Sequence, residues 1–110
     1  MTTQRVYIPN KSGHDFSPAE DFGDLVFITE GTLPRFDTNF IYRACIDAMH
    51  DAEVDDFLLI TSLNIINCVA SGILARRFGK INYLLFSKGR YLVRSVLIDG
   101  LLSKDEILEE

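Results

Sequence analysis

The chain has 110 residues, of which 47% are hydrophobic and 25% charged, and it contains no low-complexity tract. These values are typical of one globular domain spanning residues 1–110, and they exclude a disordered chain. Sixteen acidic and eleven basic side chains give a net charge of −5. This charge argues against duplex DNA or RNA as a general partner, because phosphate binding needs a positive surface. A local basic patch could still bind one small anion.

The two cysteines, Cys45 and Cys68, both lie in apolar helical patterns, and no signal peptide opens the chain. We therefore predict two reduced core residues and a cytoplasmic protein, in the host cytoplasm if a phage encodes it. The uncharged stretch 57–75 is interrupted by five polar side chains. It therefore favours a buried strand followed by a helix over a membrane span.

The first predicted elements are a strand and a short helical turn. Residues 5–9 (RVYIP) have the β-rich composition of a strand, and Pro9 ends it or places it near an edge. A polar loop over residues 10–15 follows. Ser17, with a proline next and an acid three residues later, predicts the N-cap of a short helix that Gly23 ends.

A second strand and the first long helix come next. Residues 25–29 (LVFIT) predict the strand. Asp37 or Thr38 can cap the helix, whose apolar side chains recur at the helical period and define one buried face. These side chains are Phe40, Ile41, Ala44, Cys45, Ala48 and Met49.

The third strand, residues 57–60, is uncharged and is predicted to be covered on both sides. Ser62 can cap the helix that follows, which runs to Phe78 and is closed by Gly79. Apolar side chains point in most directions around this helix. We therefore expect it to be largely buried, either in the core or against another subunit.

Two long β segments, residues 80–86 and 90–98, are joined by the glycine-bearing loop 87–89, which predicts a hairpin. Ser103 then begins a capping-box pattern that predicts a short acidic C-terminal helix. Alternation of strands and helices indicates an α/β fold. We expect a single-layer mixed β-sheet of about five strands with helices packed on it and a C-terminal β-hairpin.

The first candidate site is the start of the second long helix. A strand that ends in polar residues and leads into a helix places free backbone N–H groups and the positive end of the helix dipole together. Thr61, Ser62 and Asn64 add hydroxyl and amide groups there. Asn67 and Ser71 continue Asn64 as a polar stripe that faces a ligand, a second subunit or another polar loop. Helix capping with internal hydrogen bonds is the alternative interpretation.

The second candidate site is the loop 10–15, which follows the first strand. If the first and third strands are parallel neighbours, this loop and Thr61 lie at the same edge of the sheet. His14 could then act as a general acid or base, or bind phosphate, or it is an ordinary surface histidine. The residues predicted to bind a ligand in this loop are Asn10, Lys11, Ser12 and His14.

Arg94 is the remaining candidate ligand-binding residue. It shares one side of its strand with apolar residues, so its charge needs a carboxylate, a phosphate or solvent. Asp24 or Asp99 is the simplest partner. No metal or other cofactor is expected, because the histidines, cysteines and acids show neither zinc-ligand spacing nor a calcium-loop pattern.

Two resemblances add to these patterns. Two long passages resemble small uncharacterised proteins of tailed bacteriophages. They are RVYIPNKSGHDFSPAEDFGDLVFITEG and DDFLLITSLNIINCVASGILARRFGKINYLLFSKGRYLVRSVLID. A looser pattern is similar to the archaeal-virus ring-nuclease family. It consists of RVYIPN for the first strand and of SLNIINCVASGILARRFG followed by a hairpin. Members of that family are anti-CRISPR proteins that dimerise and cleave cyclic tetra-adenylate.

The second resemblance implies a homodimer and a small nucleotide ligand. That family has its catalytic histidine at the start of the helix, where this chain has Thr61, Ser62 and Leu63, and His14 lies in another loop. We therefore expect no enzyme. If turnover occurs, the activity expected is that of a nuclease or phosphodiesterase acting on a small nucleotide.

The leading hypothesis is a small phage protein that binds a nucleotide-like or phosphate-bearing anion, and so counters host defence signalling. Its dimer is expected to bury part of the apolar surface of the second long helix or of the hairpin. The alternative is a module without enzymatic activity that binds a host or virion protein. It would act through its acidic surface or through an exposed hairpin edge.

Overall fold

The computed structural model describes residues 3–11, 13–32, 36–61 and 65–98. In these residues the helices are α1 (Thr38–Met49), α2 (Ile65–Phe78) and one 3₁₀ helix (Ser17–Asp21). The strands are β1 (Arg5–Lys11), β2 (Asp24–Glu30), β3 (Phe57–Leu59), β4 (Lys80–Ser87) and β5 (Arg90–Leu97). The C-terminal helix predicted from Ser103 lies outside the described residues.

The strands form one sheet in the order β2-β1-β3-β4-β5. β1 is parallel to β2 and to β3, β3 is parallel to β4, and β4 and β5 form an antiparallel hairpin. The predicted α/β fold with a mixed five-stranded sheet and a C-terminal hairpin is therefore confirmed.

The two faces of the sheet are covered by different elements. Alternate residues of β1 and β3 point to opposite faces, so Tyr7 and Leu58 contact α1 and α2, whereas Val6 and Leu59 face the other way. That other face is covered by Phe16 and by the 3₁₀ helix. Both long helices thus lie on one side of the sheet and the 3₁₀ helix on the other.

This arrangement follows from the path of the chain. From β1 the chain crosses the 3₁₀-helix face to reach β2 on one side. It then returns over the opposite face through α1 to β3, on the other side of β1, and continues through α2 to β4. The direction of the crossovers therefore reverses between β1 and β3. In α/β sheets such a reversal leaves a crevice at the carboxyl ends of the two strands.

α2 is less buried than its apolar sequence predicts. Its described residues begin at Ile65, and its buried side chains form one stripe, which includes Ile66, Ala70 and Leu74. Cys68 is exposed, so the prediction that both cysteines are core residues is wrong for this one. The reason is geometric: α2 contacts the sheet with one face and α1 with its flank, and its remaining side faces outward. Gly79 closes α2 with a positive φ of 65°, as predicted.

The ends of three elements differ from the sequence prediction. β1 continues through Asn10 and Lys11, which pair with β2, so these two residues do not belong to a loop. Ser17 does not cap the 3₁₀ helix. Its backbone N–H donates to the Asp15 carboxylate over 2.9 Å. The hairpin loop has two residues, Lys88 and Gly89, both with positive φ.

The predicted cap of α1 is present: the Asp37 carboxylate accepts a hydrogen bond from the backbone N–H of Phe40 over 3.0 Å. This bond satisfies one of the free N–H groups at the start of the helix. No helix in the described part of the chain is long and apolar enough to cross a membrane.

Candidate functional site

A hollow opens at the carboxyl ends of β1 and β3, on the face of the sheet that carries the 3₁₀ helix. Its volume is about 320 Å³, at the lower end of the range for small-molecule pockets. The lining residues come from the segment after β1, from the end of β3 and from the hairpin. They are His14, Asp15, Phe16, Leu59, Ile60, Thr61, Phe86 and Tyr91.

The hollow joins the two candidate sites that the sequence predicts. β1 and β3 are parallel neighbours, with Val6 paired to Phe57. The segments that leave these two strands therefore emerge at the same edge of the sheet. His14 from the first segment and Thr61 from the second line the same hollow.

The hairpin supplies an aromatic wall. The rings of Phe86 and Tyr91 pack edge to face, with centroids 5.2 Å apart and planes inclined by 67°. The two residues are directly paired across β4 and β5, close to the turn. The sequence patterns considered above do not predict either residue as part of the site. The signal was available, since two aromatic residues placed symmetrically about a hairpin turn must lie side by side on one face.

Phe16 also lines the hollow. Its ring is buried and lies 6.0 Å from the ring of Phe27 on β2. The imidazole of His14 packs edge-on against Phe16, with centroids 6.1 Å apart. This contact holds the His14 ring beside the hollow while the residue as a whole stays exposed.

Asp15 is the acidic group of the hollow. The hydrogen bond from the Ser17 backbone N–H holds the pKa of the Asp15 carboxyl below its usual range, so this group carries a negative charge at neutral pH. Burial raises the pKa of the Tyr91 phenol, and the charge of Asp15 raises it further. The hollow therefore combines a carboxylate acceptor with a neutral phenol.

Asn10 and Lys11 lie beside the hollow but do not line it. The Asn10 amide donates to the carbonyl of Gly31 over 3.1 Å, and its oxygen accepts from the Thr29 hydroxyl over 3.0 Å. The Lys11 ammonium lies 5.4 Å from the centroid of the Phe27 ring, a cation–π distance. Both side chains thus fasten the end of β1 to β2.

Arg94 is not brought to the hollow. It pairs with Tyr83 on the face of the sheet that carries α2, opposite to the face of the hollow. Its guanidinium donates to the carbonyl of Val93 over 2.8 Å. The predicted partner Asp24 is on β2, at the far edge of the sheet, so that ion pair is not formed. The other predicted partner, Asp99, lies outside the described residues.

Three further predicted site residues, Ser12, Ser62 and Asn64, also lie outside the described residues. Within the polar stripe of α2, Ser71 accepts a hydrogen bond from the Tyr83 hydroxyl over 2.9 Å, and Asn67 is buried. The described part of the stripe therefore faces the sheet, and for Ser71 the internal hydrogen bond of the alternative interpretation is present.

Among the described residues, no cluster of histidine, cysteine, aspartate and glutamate could hold a metal ion. Cys45 and Cys68 are both free thiols. Burial raises the pKa of the Cys45 thiol to about 11, which makes it a packing residue rather than a nucleophile.

Comparison with protein families matches residues 4–99 to a family described as phage Pam3 gp32-like protein. The match spans all strands and helices of the described structure, and with them every residue that lines the hollow. Comparison with curated proteins and with solved structures gives no significant match.

Proposed function

We propose that this chain, which belongs to the phage Pam3 gp32-like protein family, binds a small nucleotide-like or phosphate-bearing anion in the hollow at the ends of β1 and β3. The main observation in support of the proposal is that His14 and Thr61 line one hollow at the ends of β1 and β3, where the crossover direction reverses. In sheets with this strand order, ligands bind at that point.

The phosphate-binding end of the hollow is the side of Thr61. Its hydroxyl can donate to a phosphate oxygen. The N-terminal end of α2, which follows Thr61 in the chain, carries the partial positive charge of the helix dipole. The His14 ring nitrogens add a further donor from the segment that follows β1.

The aromatic wall suits a planar base. Phe86 and Tyr91 expose ring surface to the hollow, and base–aromatic stacking is typical of sites that bind nucleotides. The negative charge of Asp15 repels phosphate but accepts hydrogen bonds from an exocyclic amine or a sugar hydroxyl. The ligand therefore lies with its phosphate towards Thr61 and its base or sugar towards Asp15.

Such a protein, made in the cytoplasm of an infected cell, counters host nucleotide signalling by sequestering the nucleotide. Sequestration needs tight binding and no turnover. The protein acts as a homodimer, and the outward apolar side of α2, which includes the exposed Ile65, supports this part of the proposal.

The test is a thermal-shift screen of the purified protein with inorganic phosphate and with linear and cyclic mono- and dinucleotides. A ligand that binds the folded state raises the Tm according to its concentration and Kd. We expect at least one nucleotide to raise the Tm of the wild type. The shift should be lost in Thr61→Val and kept in Ser71→Ala, whose hydroxyl bonds to Tyr83 away from the hollow.

Two results would overturn the proposal. One is the absence of any nucleotide-dependent shift, together with unchanged amide resonances of His14 and Thr61 in NMR titrations. The other is a shift that Thr61→Val leaves intact, because binding would then occur elsewhere. Sedimentation velocity with the wild type tests the homodimer separately.

A further inference from the structure

The outer edge of β5 is the most open strand edge in the described structure. β5 has eight residues, ends the sheet and pairs on one side with β4. Within the described part of the chain, no strand pairs with the backbone N–H and C=O groups on its other side. Long edge strands of this kind are ready-made templates for pairing with another chain.

Apolar side chains surround this edge on both faces of the sheet. The exposed fractions are 75% for Leu97, 62% for Phe86, 45% for Val96 and 39% for Val93. The opposite edge, β2, differs, since its apolar residues pack against the two cores and Ile28 is buried. Exposed apolar surface is therefore concentrated at the β5 end of the sheet.

The charge of this region is opposite to that of the whole chain. Between Gly79 and Ile98 there are four basic residues and no acidic one, although the net charge of the protein is −5. Arg90 and Arg94 lie on the same face of β5, four residue pairs apart in the hairpin register. Neither forms an ion pair with an acid among the described residues.

These charges select between two kinds of occupant. A second β5 paired with this one would bring two further arginines into the same short ladder, and like charges across a ladder are unfavourable. An acidic strand would instead place its carboxylates next to Arg90 and Arg94. Tyr91, Val93 and Leu97 lie on the opposite face of β5 from the two arginines. The residues that alternate with the carboxylates in the acidic strand would contact these apolar side chains.

We infer that the outer edge of β5 binds an extended segment of another protein, with acidic and apolar residues in alternation, as a sixth strand of the sheet. Backbone hydrogen bonds supply the affinity in this mode of recognition, and the alternating side chains supply the specificity. This surface shares Phe86 and Tyr91 with the hollow, but its backbone pairing lies along the outer edge of β5, so it adds a protein partner to the small-ligand function.

The probe is a short fluorescent peptide of alternating glutamate and valine, and its binding is measured by fluorescence anisotropy. Two peptides serve as controls, one with lysine in place of glutamate and one with the same composition in two blocks. We expect only the alternating acidic peptide to bind. The double variant Arg90→Glu/Arg94→Glu should weaken this binding at least about tenfold.

A matched variant separates local charge from net charge. Arg43→Glu/Arg76→Glu makes the same change in net charge on exposed helix positions, and it should bind the peptide like the wild type. Circular dichroism and the Tm of each variant verify that it is folded. Equal loss of binding in both double variants would overturn the inference, as would the absence of binding to the wild type at millimolar peptide.

Backbone methylation tests the pairing itself. Successive amides of a strand point to opposite sides, so methylating every second amide blocks one edge of the peptide only. One of the two methylation patterns should abolish binding and the other should preserve it. Equal binding of both methylated peptides, or of the block peptide, would show a nonspecific basic patch. Intermolecular NOEs between β5 strands would show that a second copy occupies the edge. A nonspecific basic patch or a second copy at the edge would each overturn the inference.

Discussion

The buried carboxylate of Asp56 accepts a hydrogen bond from the backbone N–H of Arg5 over 2.9 Å and so ties the turn before β3 to the start of β1. Its second oxygen accepts from the Glu53 backbone N–H over 2.9 Å and lies 3.5 Å from the Arg5 guanidinium. These bonds hold β1 and β3 in the alignment that brings their carboxyl ends to one hollow.

Replacing Asp56 with alanine should lower the free energy of unfolding by about 2–4 kcal/mol, because two partly buried N–H groups lose their acceptor and the Arg5 guanidinium loses its ion pair. Urea denaturation measures the change. Asp55→Ala is the matched control, since the neighbouring carboxylate is exposed, and it should cost less than about 0.5 kcal/mol. Equal losses for the two variants would show that the bonds of Asp56 do not stabilise the fold.

The buried phenol of Tyr7 predicts a loss of stability at alkaline pH. Burial, together with the negative charge of Asp56, raises its pKa from 10.0 to about 12. The folded state therefore disfavours the phenolate. The stabilisation is complete below the pKa of the unfolded chain and is lost as the pH rises from 10 towards 12.

The measurement compares urea midpoints of the wild type and Tyr7→Phe across this pH range. Phenylalanine has no proton to lose, so Tyr7→Phe should gain stability relative to the wild type as the pH rises. Tyr42→Phe, at an exposed position on α1, should follow the wild type throughout. Parallel pH curves for the wild type and Tyr7→Phe would contradict the prediction.

The sequence was sufficient to predict the kinds of element and most of their positions, because apolar periodicity and capping residues are local. Strand order is not local. That β1 pairs with both β2 and β3 depends on which face each crossover takes, and no short segment encodes this. The sequence could therefore predict that His14 and Thr61 lie in one site only if the strands before them, β1 and β3, are neighbours.

The burial of some side chains could not be predicted, because the same residue pattern occurs in buried and in exposed positions. Asp55 and Asp56 are adjacent acids, yet the first is exposed and the second is buried and accepts a backbone hydrogen bond from Arg5 on a distant strand. Cys68 lies in an apolar helix, yet it faces outward because α2 has contacts on only part of its surface. Burial of such residues is decided by tertiary packing.

The turn of the hairpin predicts opposite effects of two substitutions. Lys88 and Gly89 have φ angles of 52° and 84°, in the left-handed region that favours glycine and asparagine. Gly89→Ala should lower the free energy of unfolding by about 1 kcal/mol. Lys88→Asn should raise it by about 0.5 kcal/mol.

Urea denaturation of both hairpin variants checks these values. Gly13→Ala is the control, because a Cβ at this position meets no atom within 4 Å and its backbone is not in the left-handed region. If Gly89→Ala and Gly13→Ala have the same effect, the turn conformation does not limit stability.

The aromatic wall of the hollow predicts how its ligand is recognised. If a base stacks on Tyr91, then Tyr91→Phe keeps the ring and should retain nucleotide affinity, whereas Tyr91→Ala should weaken it by about 1–3 kcal/mol, or roughly 5- to 150-fold. Isothermal titration calorimetry measures the Kd for the nucleotide with the largest thermal shift. Tyr83→Phe removes a hydroxyl on the opposite face of the sheet and should leave the Kd unchanged. If Tyr91→Phe instead loses as much affinity as Tyr91→Ala, the phenol hydroxyl recognises the ligand and stacking does not.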